Sequence, residues 1–122
     1  MIDPRELRIG NYIYWNIPKK NGVFHKVEAI LESTLHTIPI SLGKHKDYDP
    51  IPITEELLIK AGFNQEIKIG NAREYRVYSF DFIVYNTSTG WWVFGWHLDQ
   101  DIKGFHHLQN IVFDLSGKEL NP

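Results

Sequence analysis

The amino-acid sequence predicts an α+β protein that combines a small curved antiparallel sheet, an aromatic β-hairpin and two short helices. Three observations lead to this class. Residues that favour strands dominate the first third of the chain, a capped helix pattern follows at 53–63, and aromatic residues crowd positions 75–96. The chain has 122 residues, which is below the roughly 150 residues typical of one domain. We therefore expect a single domain over residues 1–122.

A β-hairpin is predicted near the start of the chain. Residues 7–16 are rich in Ile, Tyr and Trp, and residues 23–31 alternate so that His25 and Val27 share one face. Between them, residues 18–22 read Pro-Lys-Lys-Asn-Gly, which is the composition of a turn. Two strands joined by this turn are expected.

A third strand is predicted over residues 34–40. Residues 43–52 follow it and contain two prolines and several charged residues, so they predict a loop. The first strand carries Gly10 and Asn11 near its beginning. Three short strands of this kind are typical of a small, curved, SH3-like sheet.

The clearest helix signal lies at residues 53–63. Thr54 can accept a hydrogen bond from the first turn, and two glutamates follow at the positive end of the helix dipole. Gly62 allows the left-handed conformation in which many helices end. These features predict a short helix that is capped at both ends.

An aromatic hairpin is predicted next. Nine aromatic residues fall between Tyr75 and Trp96, and the polar residues 86–90 interrupt them. We interpret this pattern as two antiparallel strands joined by a polar turn, placed at the centre of the core. Apolar residues then recur at helical spacing from Phe105 to Leu115, and Gly117 follows, which predicts the second helix.

The composition excludes several classes of function. Basic and acidic residues number eight each up to residue 61, then five and seven, so a strongly positive surface for duplex DNA is not expected. The chain has no cysteine, which excludes disulfides, thiolate metal sites and a cysteine nucleophile. It has neither a signal-peptide pattern nor the run of about 20 apolar residues that a membrane helix needs. We expect a cytoplasmic protein that makes no membrane contact.

Three groups of residues form a pattern seen elsewhere. They are residues 7–12 (Leu-Arg-Ile-Gly-Asn-Tyr), residues 52–58 with Gly-Phe at 62–63, and residues 105–110 with Gly-Lys-Glu-Leu at 117–120. In this order they resemble a family of short uncharacterised proteins from gut-type anaerobic bacteria and their prophages. The family's pattern is similar to His-Gln-Leu-Gln-Asn where this chain has His-His-Leu-Gln-Asn. The resemblance implies a prophage or mobile-element setting and brings no known activity.

The strongest candidate metal site consists of His97, Asp99 and Asp101. Alternation along a strand places these three residues on one side, and nitrogen and oxygen ligands suit zinc or iron. The alternative interpretation is a polar strand end that leads into a helix. His106 and His107 are neighbours on that helix and point about 100° apart, so they cannot both face one metal. The polar-strand interpretation is favoured, and we expect neither a metal nor a cofactor.

The aromatic hairpin offers a candidate contact surface. Residues 91–96 carry large apolar side chains on both faces of the predicted strand, whereas a strand with one face in water would alternate. The strand is either buried on both sides or has one aromatic face open to a partner. A second aromatic group lies on the first strand, near basic residues predicted at the strand tips. The candidate contact residues are Trp92, Phe94, Trp96, Tyr12, Tyr14 and Trp15.

Three functions remain open from the sequence, and a non-enzymatic function is favoured. The first is an interaction module that binds a protein partner or a second copy of itself. The second is a weak single-stranded nucleic-acid binder that uses aromatic stacking beside basic loops. The third is a metal-dependent enzyme built on His97, Asp99 and Asp101.

Overall fold

The fold is described from a computed structural model of the chain. The structure describes residues 2, 4–15, 23–30, 34–39, 43–44, 47–67, 73–76, 83–87, 90–95 and 98–122. They fall into two compact units: the first unit comprises residues 1–52 and 103–119, and the second unit comprises residues 53–102 and 120–122. Each unit combines an antiparallel sheet with a helix, which confirms the predicted α+β class. The single domain and the SH3-like topology stay predictions.

The first unit contains a five-stranded antiparallel sheet. Its strands are β1 (Tyr12–Trp15), β2 (Phe24–Ile30), β3 (Thr34–Ile38), β4 (Gly43–Lys44) and β5 (Tyr48–Asp49), in the spatial order β4-β3-β2-β1-β5. The three strands predicted in the first third of the chain are present. Their buried side chains form the core of this unit, namely Ile13, Val27, Leu35 and Tyr48, together with Ile2.

The beginning of β1 differs from the prediction, which placed a strand over residues 7–16. A short 3-10 helix spans Pro4–Glu6, and a turn follows it. In that turn the backbone N–H of Arg8 donates to Oδ1 of Asn11 (2.8 Å), and the backbone N–H of Asn11 donates to the carbonyl of Arg8 (3.0 Å). The asparagine side chain therefore serves the backbone N–H of Arg8, a local competition typical of this residue type, while the backbones of Gly10 and Asn11 still bond to Val27 of β2.

The segment predicted as a loop at residues 43–52 contains two short strands. Strand β4 pairs with β3, and β5 pairs with β1 through Trp15 opposite Tyr48. Tyr48 is fully buried, and this burial holds its strand against the sheet. A single aromatic residue among charged neighbours has no periodicity, so the sequence pattern does not reveal a two-residue strand.

The last helix of the first unit, α2, spans Phe105–Ser116 and packs against β1. The predicted helix is confirmed, and it ends at Gly117, which has a left-handed backbone conformation (φ 73°). Phe105, Leu108 and Val112 are fully buried as their spacing indicates, whereas Leu115 is 39% exposed. Two polar residues of this helix, His106 and Gln109, are also fully buried.

The second unit begins with helix α1 (Glu55–Lys60), whose predicted caps are confirmed. The backbone N–H of Leu57 donates to Oγ1 of Thr54 (3.1 Å). At the other end Gly62 has a φ of 102°, and its N–H donates to the carbonyl of Ile59 (3.1 Å). The N–H of Phe63 donates to the carbonyl of Leu58 (2.9 Å). These two bonds form a Schellman motif.

The sheet of the second unit has five antiparallel strands that follow one another in chain order. They are β6 (Asn64–Ile67), β7 (Arg73–Arg76), β8 (Ile83–Thr87), β9 (Gly90–Gly95) and β10 (Leu98–Asp101). The β8–β9 pair is the second part of the predicted aromatic hairpin, with Thr87 opposite Gly90. The prediction of one strand from Tyr75 to the polar turn is wrong, because Tyr75 lies on β7, which is antiparallel to β8. The hydroxyl of Thr87 donates to the carbonyl of Gly90 (3.0 Å), which closes the hairpin.

Strand β6 was not predicted, and β10 was predicted only as a polar strand end that includes Asp99 and Asp101. Their sequences, Asn-Gln-Glu-Ile and Leu-Asp-Gln-Asp, are mostly polar and have little intrinsic preference for strands. Both lie at the edges of the sheet, where polar residues are usual. Among the described residues, no helix is long and apolar enough to cross a membrane.

Candidate functional site

A polar network in the first unit joins residues that lie far apart in the sequence. The Gln109 side chain accepts a hydrogen bond from the backbone N–H of Tyr12 (2.9 Å) and donates one to the carbonyl of Gly10 (3.3 Å). Asn110 accepts from Nδ2 of Asn11 (2.9 Å) and donates to the carbonyl of Glu6 (2.8 Å). Helix α2 is thereby bonded to the turn that precedes β1.

Arg8 extends this network to the end of the first unit. Its guanidinium forms a bidentate ion pair with Glu119, in which Nη2 lies 3.1 Å from Oε2. Its Nε donates to Oδ1 of Asn110 (3.2 Å), and its Cζ lies 4.2 Å from the centre of the Phe113 ring. A bidentate carboxylate partner and an aromatic face are both preferred by arginine. Arg8 therefore holds residues 8, 110, 113 and 119 in a fixed arrangement.

Two of the three stretches on which the resemblance rests are bonded to each other in this chain. Residues 7–12 and 105–110 contribute most of the network, and residue 119 completes it through Arg8. The hydrogen bonds between these stretches were not predicted from the sequence.

His106 is a buried titratable group next to this network. Its Nε2 lies 3.2 Å from Oε2 of Glu6, while Oε1 of Glu6 lies 3.5 Å from Nζ of Lys103. Burial lowers the pKa of His106, and the hydrogen bond to Glu6 only partly opposes this effect. The neutral ring donates through Nε2, and its buried Nδ1 has no hydrogen-bond partner among the described residues.

Gly104 explains how the His106 ring is enclosed. A Cβ atom at this position would lie 2.7 Å from Cβ of Pro50 and 3.1 Å from Nδ1 of His106. The first distance is shorter than real Cβ atoms show, and the second is tighter than nine in ten real Cβ contacts. The backbone N–H of Phe105 also donates to the carbonyl of Ile51 (2.9 Å), which fixes the start of α2 against the residues after β5. A glycine is needed here for space.

A cavity of about 190 Å³ lies beside this helix start. It is lined by Arg5, Glu6, Lys103, His107 and Asn110, all in the first unit. The backbone N–H of Lys103 donates to Nδ1 of His107 (3.1 Å). Because Nδ1 is the acceptor, the proton of the neutral ring is on Nε2, which makes that atom a donor. The lining therefore combines two cations, one carboxylate, an imidazole and an amide.

The second unit presents a different kind of surface, which we call the aromatic face. It consists of Ile83, Tyr85, Trp92 and Phe94, because Ile83 pairs with Phe94 and Tyr85 pairs with Trp92 in the β8–β9 register. The opposite face of the hairpin carries the fully buried pair Val84 and Val93. Phe94 is 54% exposed, and the other three side chains are half-buried. One side of this hairpin is core and the other is accessible to solvent.

Carboxylates flank the aromatic face on both sides. On one side, the exposed Asp101 of β10 lies opposite Trp92. On the other side, the half-buried Glu74 of β7 lies opposite Tyr85. In sequence the second unit contains four basic and seven acidic residues, a net charge of −3. The aromatic face therefore lies in an acidic surrounding.

The predicted contact residues are distributed over both units. Trp92 and Phe94 share the aromatic face, and Trp96 lies outside the described residues. On β1, Tyr12 and Tyr14 are half-buried on one face of the strand. Trp15 packs against the core of the first unit and lies edge-on to His25, with the ring centres 5.9 Å apart. Trp15 is therefore largely a packing residue.

The basic residues considered for binding single-stranded nucleic acid are described only in part. Residues 19–20 and 45–46 lie outside the described residues. His25 of β2 is buried, and its Nδ1 lies 2.8 Å from the carbonyl of Pro39. The hydroxyl of Thr37 donates to the same carbonyl (2.8 Å). His25 thus belongs to the interior of the sheet.

The metal-site candidate is only partly described. Asp99 and Asp101 lie two residues apart on β10, and Asp101 is exposed, whereas His97 lies outside the described residues. Within the part of the chain that the structure describes, no three His, Asp or Glu side chains are grouped closely enough to hold a metal ion.

Comparison of the chain with protein-family models, with curated proteins and with solved structures finds no match.

Proposed function

We propose that this protein is a non-enzymatic interaction module that binds a protein partner through the aromatic face of its second unit. The observation that carries the proposal is the exposure of Phe94, 54% of which is accessible to solvent in a strand whose neighbouring residue, Val93, is fully buried. Contiguous apolar patches that a folded protein exposes mark interaction sites, whereas single exposed apolar residues are common. Phe94 shares its face with Ile83, Tyr85 and Trp92. The family resemblance supports a prophage or mobile-element setting for such a module.

The surroundings of the aromatic face favour one kind of partner. Asp101 and Glu74 place carboxylates beside Trp92 and Tyr85. An arginine or lysine that contacts an aromatic ring and a carboxylate together gains both cation–π and ionic interactions. We therefore propose a peptide segment in which a cationic residue lies next to an aliphatic or aromatic one. The same carboxylates repel a phosphate backbone, which disfavours nucleic acid at this face.

A peptide-display selection tests this proposal directly. A library of random peptides is selected on the full chain, and the enriched peptides are then measured against Phe94→Ser. The control variant is Ile59→Ser, which removes another exposed apolar side chain of the second unit (48% exposed, on α1). We expect the enriched peptides to share a cationic residue beside an apolar one and to lose at least tenfold in affinity for Phe94→Ser only.

Two results would overturn the proposal. One is enrichment of peptides that bind Phe94→Ser as well as they bind the unchanged chain. The other is a failure to enrich any peptide while a labelled single-stranded oligonucleotide binds with strong salt dependence, which would favour the nucleic-acid function instead. Light scattering on the unchanged chain and on Phe94→Ser distinguishes a second copy of the chain as the partner.

A further inference from the structure

The sheet of the first unit has a second face, opposite its core, which we call the outer face. Ile13, His25 and Thr37 are buried on the core side, so their neighbours along the strands point to the other side. The outer face consists of Tyr12, Tyr14, Phe24, Lys26 and Ile38. Ile38 is 59% exposed, more than any other large apolar side chain of the described residues.

A cation lies between apolar side chains on the outer face. Lys26 of β2 is opposite Tyr12 of β1 on one side and opposite Ile38 of β3 on the other. The next row of the face contains Tyr14 and Phe24, whose ring centres are 5.6 Å apart. Among the described residues, Lys26 has no ionic partner. The outer face therefore presents the combination that the proposed function requires of a partner, a cationic residue next to an aliphatic and an aromatic one.

The aromatic face of the second unit carries the complementary side chains. The exposed carboxylate of Asp101 lies opposite Trp92, and no described residue forms an ion pair with it. Cross-strand neighbours lie about 5 Å apart in any antiparallel sheet. A carboxylate beside a ring on one face therefore matches, at the same spacing, a cation beside an apolar side chain on the other.

The charges of the two units have opposite signs. In sequence the first unit contains nine basic and eight acidic residues, a net charge of +1, and the second unit has a net charge of −3. Two aromatic faces brought together would place like charges against each other, which is unfavourable. An aromatic face against an outer face brings opposite charges together.

We propose that the aromatic face binds the outer face of a second copy of this chain. The inference rests on the proposed function, because it assigns an occupant to the same aromatic face. Lys26 of one copy pairs with Asp101 of the other, and Ile38 contacts the exposed ring of Phe94. Such a contact joins two different surfaces, so each copy keeps one face for a further copy, and association continues into rings or chains.

Sedimentation velocity of the full chain at increasing concentration tests the association. We expect species larger than one chain, and we expect added sodium chloride to weaken them because the ion pair is screened. Phe94→Ser and Ile38→Ser should each lower the association constant at least tenfold. The control is Ile9→Ser, which removes a comparably exposed side chain (57%) from the turn before β1 and should associate like the unchanged chain.

Mixing the variants identifies which faces meet. Phe94→Ser keeps its outer face and Ile38→Ser keeps its aromatic face, so the two variants should form a complex of one chain each and nothing larger. Charge reversal gives an independent test. Lys26→Glu and Asp101→Lys should each associate at least tenfold more weakly alone and regain association when mixed. Circular dichroism verifies that every variant is folded.

The outcomes separate this proposal from the proposed function. A mixture that stays monomeric, or an Ile38→Ser variant that associates as strongly as the unchanged chain, would overturn the second copy as the occupant. An unchanged chain that is monomeric at every concentration would do the same, and the proposed function would still stand if the selected peptides require Phe94. If neither the peptides nor the association depends on Phe94, both proposals are wrong.

Discussion

The carboxylate of Glu6 lies 3.2 Å from Nε2 of His106, a fully buried residue one hundred positions later in the chain. The pair joins the 3-10 helix at the beginning of the protein to the first turn of α2. Since the imidazole is enclosed and the carboxylate is 33% exposed, the protonation of His106 affects how firmly these two segments hold together.

Acid should destabilise the protein through His106. Burial lowers the pKa of His106 in the folded state below its ordinary value of 6.5, so the unfolded state binds a proton more readily. The contribution of neutral His106 to the free energy of unfolding is therefore fully present above pH 6.5. It decreases as the pH falls toward the lower folded pKa, by up to about 1.4 kcal/mol per pH unit. Urea unfolding between pH 7.5 and 5 measures this slope.

The variant His106→Gln should make that slope shallower. The control is His36→Gln, which changes an exposed histidine of β3 in the same unit. If His106→Gln keeps the full pH dependence of the unchanged chain, His106 does not titrate with folding and the prediction is wrong.

Gly104→Ala should destabilise the first unit by about 1–3 kcal/mol, the usual cost of overpacking. The added Cβ would lie 2.7 Å from Cβ of Pro50, which belongs to a closed ring and cannot rotate away. Thermal denaturation followed by circular dichroism measures the effect. Gly62→Ala is a useful comparison because no atom lies within 4 Å of a Cβ there, so only its φ of 102° opposes the change. Equal stability of Gly104→Ala and the unchanged chain would contradict the packing described here.

Gln109→Leu should destabilise the protein by about 2 kcal/mol or more. The substitution preserves much of the volume but leaves the N–H of Tyr12 and the carbonyl of Gly10 without the amide that serves both, at a cost of ~1–3 kcal/mol for each buried group. Asn121→Leu replaces an exposed amide and should change stability little. Chemical denaturation of both variants decides the matter, and a similar midpoint for the two would show that the network contributes nothing.

Substitutions at two adjacent positions of β9 should differ strongly in how much they destabilise the protein. Val93→Ala removes methyl groups from a fully buried side chain and should cost about 2–3 kcal/mol. Phe94→Ser changes a side chain that is 54% exposed and should cost under about 1 kcal/mol. Unfolding midpoints test the difference. Severe unfolding of Phe94→Ser would show that the aromatic face is part of the core.

The elements that could be predicted are those with local signals. Helix α1 has its cap at Thr54 and its stop at Gly62 within nine residues, and the β8–β9 hairpin is marked by its turn. The strands that escaped prediction, such as Tyr48–Asp49 and Asn64–Ile67, form only because a partner strand is present. Their own residues carry no periodicity.

The candidate sites show the same division between local and distant interactions. Phe94 belongs to an aromatic run that was recognised as a contact surface, although exposure could not be assigned to it from spacing alone. The cavity escaped prediction because Arg5 and Glu6 meet Lys103 and His107 only after the chain has folded. Glu6 and Lys103 are ordinary charged residues in sequence, and no motif links them.

The first unit is built from two segments of the chain, residues 1–52 and 103–119, which the ribosome synthesises at different times. The backbone N–H of Tyr12 and the carbonyl of Gly10 receive their partner from Gln109, ninety-seven and ninety-nine positions later. A nascent chain that has emerged only to residue 102 therefore has strands β1–β5 without α2, and these backbone groups are still bonded to water. The first unit reaches its final structure only after the C-terminal helix leaves the exit tunnel, so a chain truncated before Phe105 should be recognised by chaperones and proteases as incomplete.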